Sequence, residues 1–320
     1  MKKILIIQTA FIGDVILATP LIETLNHNFS GCQIDFMVKK GNEGLLVGHP
    51  LISHIYSFDK ENKARSLVAN ISEIRREKYD LVVNLQRFAS SGIIAGFSGG
   101  KKIIGFKKNP ISWLFSEKFD HSIGDGAHEV DRNLSLIESL CHEIFRKPRL
   151  YPTQENIEKI HPLISTPFIC IAPASVWKTK EVPLEKWLEV ISALAHDMQI
   201  YLVGAPNDKE LCEDIRSKSG RSNIENMCGR LTLIETASLF SFARRVYVND
   251  SGPLHIASAM NTPVTAFFCS TVPDFGFGPL SDDSKIFEVE NLACRPCGLH
   301  GKTVCPEGHF KCGKELTINV

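Results

Sequence analysis

Short apolar runs alternate with segments of helical periodicity along almost the whole chain, and few architectures accept that pattern. "KKILIIQ", "QIDFMVK", "HIYSFD", "YDLVVNL" and "KIIGF" read as strands, and amphipathic stretches such as "ARSLVANISEIRREK" lie between them. Parallel neighbours need a crossover connection, so strands that alternate with helices predict a parallel sheet covered on both faces. The segment "EVDRNLSLIESLCHEIF" is expected to close this series as a helix.

The rhythm breaks at "KPRLYPTQENIEKIHPLISTP", which is rich in proline and polar residues and marks a domain boundary. A second series follows: strand "FICIAPAS", helix "LEKWLEVISALAHDM", strand "QIYLVGA", helices "DKELCEDIRSKS" and "TLIETASLFSFA", strand "RRVYVND", helix "PLHIASAM" and strand "PVTAFFCS". The expectation is an α/β protein of two Rossmann-like domains, residues 1–160 and 161–320, the second ending in a cysteine-rich tail at about 292–313. At 320 residues and 43% hydrophobic, the chain can fill two such cores. A ligand cleft is expected between the two domains.

Composition narrows the partners. The 36 basic and 36 acidic residues cancel, which removes the global field that nucleic-acid binding relies on. "MKKILIIQTAFIGD" meets a charge too early for a signal peptide and reads as a first strand. No run approaches the roughly 18 apolar residues that span a bilayer, so a cytoplasmic protein with at most peripheral membrane contact is expected. Most of the ten cysteines stand alone in apolar segments, and Cys170, Cys228 and Cys269 read as buried small hydrophobes.

Three stretches lie at the carboxyl ends of predicted strands, where open α/β sheets collect ligands. In "IQTAFIGDVILATP", Asp14 stands where a helix begins, as a cap or as a carboxylate facing the crevice. Pro20 either kinks that helix or sits at the first position of a second one capped by Thr19. The single glycine of this turn argues against a dinucleotide fingerprint, which needs three. In "APASVWKTKEVPLEKW", Ser175, Lys178, Thr179 and Lys180 supply hydroxyl and ammonium donors suited to phosphate, or else form a solvated loop. In "VYVNDSGPLHIASA", Asp250, Ser251, Gly252 and Pro253 lead from a strand end into a helix whose free N–H groups suit a diphosphate, with His255 in its first turn. Asp250 also fits a helix cap, and His255 a packed core position.

In this order and spacing, "FIGDVILATPLIETL", "APASVWKTKEVPLEKW" and "VNDSGPLHIASAMNTPVTAFF", joined by "HEVDRNLSLIESL" and the cysteine-bearing tail, resemble glycosyltransferase family 9, the lipopolysaccharide core heptosyltransferases, nearest the II type. The resemblance implies a GT-B architecture with the donor held mainly by the C-terminal domain and the acceptor by the N-terminal one. It implies inverting, metal-independent transfer of heptose from ADP-heptose to a glycolipid acceptor, lipid A-Kdo with or without a first heptose, at the inner membrane face. Asp14 matches the proposed general base, Lys180 the lysine on the diphosphate, Ser175 a donor-site hydroxyl, and Asp250, Ser251, Gly252 and His255 the donor motif. Val182 departs from relatives that often carry an aromatic there, a change expected at the adenine or ribose.

The competing readings are a transferase using another nucleotide sugar, a nucleotide-sugar epimerase of the same fold, and a non-catalytic nucleotide-binding module. In the tail, Cys294, Cys297, Cys305 and Cys312 are spaced as candidate ligands of a structural zinc, or are four reduced thiols. "QRFASSGIIAGFSGGKKIIGFKK" offers basic and aromatic residues to an anionic glycolipid, or a solvated basic face.

Overall fold

The computed structural model describes residues 1–318, and the chain divides into two compact units, Met1–Tyr151 and the residues from Pro152 onward. In the first unit the strands are β1 (Lys3–Gln8), β2 (Gln33–Lys39), β3 (His54–Phe58), β4 (Leu81–Asn84), β5 (Lys102–Phe106) and β6 (Glu117–Phe119). The helices are α1 (Ile12–Leu17), α2 (Thr19–Asn28), α3 (Lys63–Glu77), α4 (Ala89–Phe97) and α5 (Glu129–Ser135). The sheet is parallel throughout, in the order β3-β2-β1-β4-β5-β6. Ile4 to Ile7 and Leu81 to Val83 are fully buried, as expected of central strands covered on both faces. The chain runs outward from β1 to β3 and returns to β4 on the other side of β1. That reversal opens a crevice at the carboxyl ends of β1 and β4.

Local chemistry explains where the elements break. Pro20 does not kink a long helix: α1 stops at Leu17, and α2 starts afresh with Ala18, not Thr19, as its cap residue and Pro20 near its start. The Thr19 hydroxyl instead donates to the Ile16 carbonyl at 2.7 Å. The helix expected over "EVDRNLSLIESLCHEIF" ends at Ser135 apart from a single 3-10 turn, Glu138–Leu140. Asn28 of α2 takes the next stretch, accepting from the His142 N–H at 2.7 Å and donating to the Glu143 carbonyl at 2.7 Å. These bonds across the unit override the helical periodicity. Helix α4 carries two glycines that favour a loop, yet the packing demands them. A Cβ at Gly92 would lie 2.1 Å from Asn109 Oδ1, and one at Gly96 2.5 Å from Leu114 Cδ1.

The second unit repeats the plan with β7 (Phe168–Ala172), β8 (Gln199–Leu202), β9 (Ile224–Asn226), β10 (Val246–Asn249), β11 (Val264–Phe268) and β12 (Ser284–Glu288). Its helices are α6 (Gln154–Ile160), α7 (Leu184–Ala193), α8 (Lys209–Ser219), α9 (Leu233–Phe242), α10 (Gly252–Ala259) and the short α11 (Lys311–Lys314). The division between units falls before α6, because α6 packs on α9 and Lys159 reaches Glu235 at 2.7 Å. The parallel order β12-β11-β10-β7-β8-β9 places the reversal between β7 and β10. Trp187 of α7 is fully buried edge-to-face on Phe267 of β11 at 5.2 Å between ring centres. Cys312 and Leu316 join the same core, so the tail is packed onto the unit.

Candidate functional site

The crevice of the first unit is built on buried amides. Gln86 donates to Gln8 across the ends of β4 and β1, and the Asn109 amide donates to the carbonyls of Gln86 at 2.8 Å and Phe88 at 3.1 Å. Asn42 donates to the Ala10 carbonyl at 3.0 Å. Together they hold the turns that follow β1 and β4. Asp14 stands in the first turn of α1, half-buried, with its carboxylate in the field of the backbone N–H groups of Phe11 and of Asp14 itself. Its pKa is pushed up to about 6, first by burial and then by the negative charge of Glu129, against the pull of those N–H groups and of Arg87.

Glu129 belongs to a cluster that the sequence reading did not single out. It is buried at the start of α5, with Arg132 Nε at 2.8 Å and His121 Nε2 at 3.4 Å from Oε2. Burial alone would raise its pKa, but the bonds from His121 and Arg132 outweigh that and leave it below the usual carboxylate range. Asn133, one turn along α5, donates to the Leu17 carbonyl at the end of α1 at 3.4 Å, which docks α5 beside Asp14. Lys60, after β3, lies in the field of Asp14 and of Lys39 and Lys63. The Arg87 guanidinium stands 5.5 Å from the Phe88 ring centre, and Phe11 and Phe88 are both exposed. The crevice thus combines one basic carboxylate, several cations and two open aromatic faces.

In the second unit the loop after β7 and the turn after β10 meet. Lys180 Nζ lies 2.6 Å from Asp250 Oδ2, and both side chains are largely buried. Asp250 also accepts the Thr271 hydroxyl at 2.6 Å. Asn249 is fully buried, accepting the Val182 N–H at 3.0 Å and donating to the Pro173 carbonyl at 2.6 Å, which ties the β7 loop to the end of β10. Ser251 occupies the cap position of α10 without a side-chain cap bond, Gly252 is its first residue and Pro253 follows, so the free N–H groups of that end stand beside the Lys180–Asp250 pair. His255 is buried in the first turn of the same helix, edge-on to Phe277.

The remaining expected donor residues separate. The Ser175 N–H is held by Glu181 Oε1 at 3.0 Å, and Lys178 is exposed and paired with Glu181 at 2.9 Å. Thr179 points inward: it is 3% exposed, and its hydroxyl is 3.0 Å from Ser270 Oγ and accepts the Lys302 N–H at 2.8 Å. Its hydroxyl is thus engaged within the protein. Val182 is buried and packs in the core with Ile171 and Trp187.

The tail cysteines are free thiols, Cys294, Cys297 and Cys305 half-buried and Cys312 buried. The Cys297 thiol donates to the Cys294 carbonyl at 3.2 Å. Burial pushes Cys312 up to about 11, and the charges of Cys297, Cys305 and Cys294 add to this. Among the described residues no three His, Cys, Asp or Glu side chains converge to hold a metal. The tail instead touches the donor loop: a Cβ at Gly301 would lie 2.5 Å from Trp177 Cβ and 2.9 Å from Lys180 Cγ.

Residues 68–307 match the family described as Glycosyltransferase family 9 (heptosyltransferase). The chain is 27% identical over 277 residues to lipopolysaccharide heptosyltransferase 3 of Escherichia coli, covering 82% of each. Its fold is similar to that of E. coli ADP-heptose lps heptosyltransferase II, with a TM-score of 0.79 at 21% identity over 97% of each chain. It is also similar to a glycosyl transferase family 9 protein from Veillonella parvula DSM 2008, with a TM-score of 0.80 at 20% identity over 89% of this chain and 85% of that one. Two Rossmann-like units are the components of the GT-B fold, and the chain belongs to glycosyltransferase family 9, the heptosyltransferases.

Proposed function

We propose that the chain moves a heptose from ADP-heptose to a hydroxyl of the lipopolysaccharide inner core, with inversion. Asp14 serves as general base in the first unit, and Lys180 binds the donor diphosphate in the second. The acceptor oxygen attacks the anomeric carbon and the carbon–oxygen bond to the diphosphate breaks. Asp14 takes the hydroxyl proton, and ADP leaves with the bonding electron pair. Charge growing on the leaving diphosphate is met by the Lys180 ammonium and the N–H groups at the start of α10, positioned before the reaction begins. The step as written needs no cofactor.

The observation that carries this reading is the place of Asp14, a carboxylate in the first turn of α1 at the crevice after β1, where burial and Glu129 push its pKa up to about 6. Such a group is ionised at neutral pH and still basic enough to accept a proton in the transition state. Lys60, Arg87 and the exposed Phe11 and Phe88 suit an acceptor that is anionic and lipid-linked, and such an acceptor sets the reaction at a membrane surface. Among the described residues no helix is long and apolar enough to cross a membrane.

The test is to incubate ADP-heptose with a panel of truncated core glycolipids and read products by mass spectrometry. Addition of one heptose to a Kdo- or heptose-terminated acceptor is expected, together with release of ADP. Conversion of the donor without an acceptor would favour the epimerase reading, and ADP binding without turnover on any acceptor would favour a binding module.

A further inference from the structure

The cysteine-bearing tail is bonded directly to the loop that carries Lys180. Lys302 donates its N–H to Thr179 Oγ1 at 2.8 Å, and Thr179 returns its own N–H to the Lys302 carbonyl at 3.0 Å. Ser270, after β11, donates its N–H to the Thr179 carbonyl at 3.3 Å and accepts the Cys297 N–H at 2.9 Å. Gly301 is buried against Trp177 and the stem of Lys180, at a distance that leaves no room for a Cβ. On the other side of the ion pair, Arg295 donates to the carbonyls of Cys269 at 2.6 Å and Thr271 at 3.0 Å, and Thr271 is the residue whose hydroxyl meets Asp250. The tail therefore fixes both the turn that carries Lys180 and the segment that supports its partner.

We propose that the segment from Arg295 to Lys302 is a strap that positions the Lys180–Asp250 pair for the donor diphosphate, with Gly301 and Thr179 as its positioning residues. This rests on the reading of Lys180 as the diphosphate ligand. A side chain at 301 pushes the Lys180 stem aside while leaving its charge in place, and loss of the Thr179 hydroxyl removes one of the two bonds that hold the turn to Lys302. The donor site is thus assembled from three parts far apart in the sequence: the β7 loop, the β10 turn and the tail.

The experiment is a double-mutant cycle on ADP affinity in the full-length protein, by calorimetry, with thermal melts as the check on folding. Lys180→Ala is expected to weaken ADP by roughly 10–100-fold, the loss of a charge-assisted bond. Gly301→Ala is expected to weaken ADP by about tenfold in the wild-type background and by less than about twofold in the Lys180→Ala background, since coupling is the mark of residues acting through one another. Equal losses in both backgrounds, or wild-type affinity for Gly301→Ala, would overturn the strap. Unchanged affinity in Lys180→Ala alone would overturn the reading of Lys180 beneath it. If Gly301→Ala fails to fold, Thr179→Val in the same cycle replaces it, with Thr179→Ser expected to restore affinity because it keeps the hydroxyl. Thr179→Val binding ADP as tightly as Thr179→Ser would count against the proposal.

Discussion

Asp14 is ordinary in composition and unusual in setting. A carboxylate near its usual pKa of about 4 is a weak base, and raising it toward 6 strengthens it without protonating it at neutral pH. Burial does most of this, and Glu129 adds to it because His121 and Arg132 keep Glu129 ionised. The cations facing Asp14, Arg87 and Lys60, act in the other direction. Glu129→Gln should therefore move the acid limb of the kcat/KM profile from near pH 6 toward the usual carboxylate range. A limb that stays in place would separate Glu129 from Asp14. Stability follows with a definite sign. A carboxyl whose folded pKa is raised destabilises the fold where it is ionised, and the penalty disappears as pH falls through the folded pKa to below the unfolded one. Asp14→Asn should raise the melting temperature above pH 6, and the gain should shrink between pH 6 and 4. A melting curve lowered by Asn at pH 7.5 would instead mark Asp14 as a structural cap.

At the scale of elements, the legible parts were those with strong local patterns. Strands β1, β4 and β7 announce themselves as apolar runs because both faces of each are covered. β6 and β12 are partly exposed edge strands with little apolar pattern. The places of Asp14, Lys180 and Asp250 after strand ends are legible because each follows an apolar run that reads as a strand. Glu129, Asn249, Thr271 and Gly301 are not, since their work depends on contacts made across the chain. The Thr179–Lys302 bond, for example, spans 123 positions. Helix α4 gives a direct test of such a contact. Gly92→Ala would drive a methyl into the Asn109 side chain, whose amide holds the Gln86 and Phe88 carbonyls beside the crevice. It should cost about 1–3 kcal/mol in denaturant unfolding, the range of an overpacked core. Wild-type stability would mean that α4 shifts freely away from Asn109.

Over the whole molecule, a chain of balanced charge carries its electrostatics locally: cations around Asp14 in one unit, and a lysine beside a helix N-terminus in the other. For an anionic acceptor, KM should rise with ionic strength while kcat at saturation changes little, because salt screens exposed charges more than buried ones. An acceptor KM indifferent to salt would remove Lys60 and Arg87 from recognition. The central claim, that the chain transfers sugar with Asp14 as base, rests most directly on turnover of Asp14→Asn with saturating ADP-heptose and acceptor, read beside its ADP affinity. Asn is close to Asp in size and caps helices about as well, but it cannot take the proton. The variant is expected to fold, to bind ADP as the wild type does and to turn over about 10²–10⁴-fold more slowly. Near-wild-type turnover of the Asn variant would contradict it.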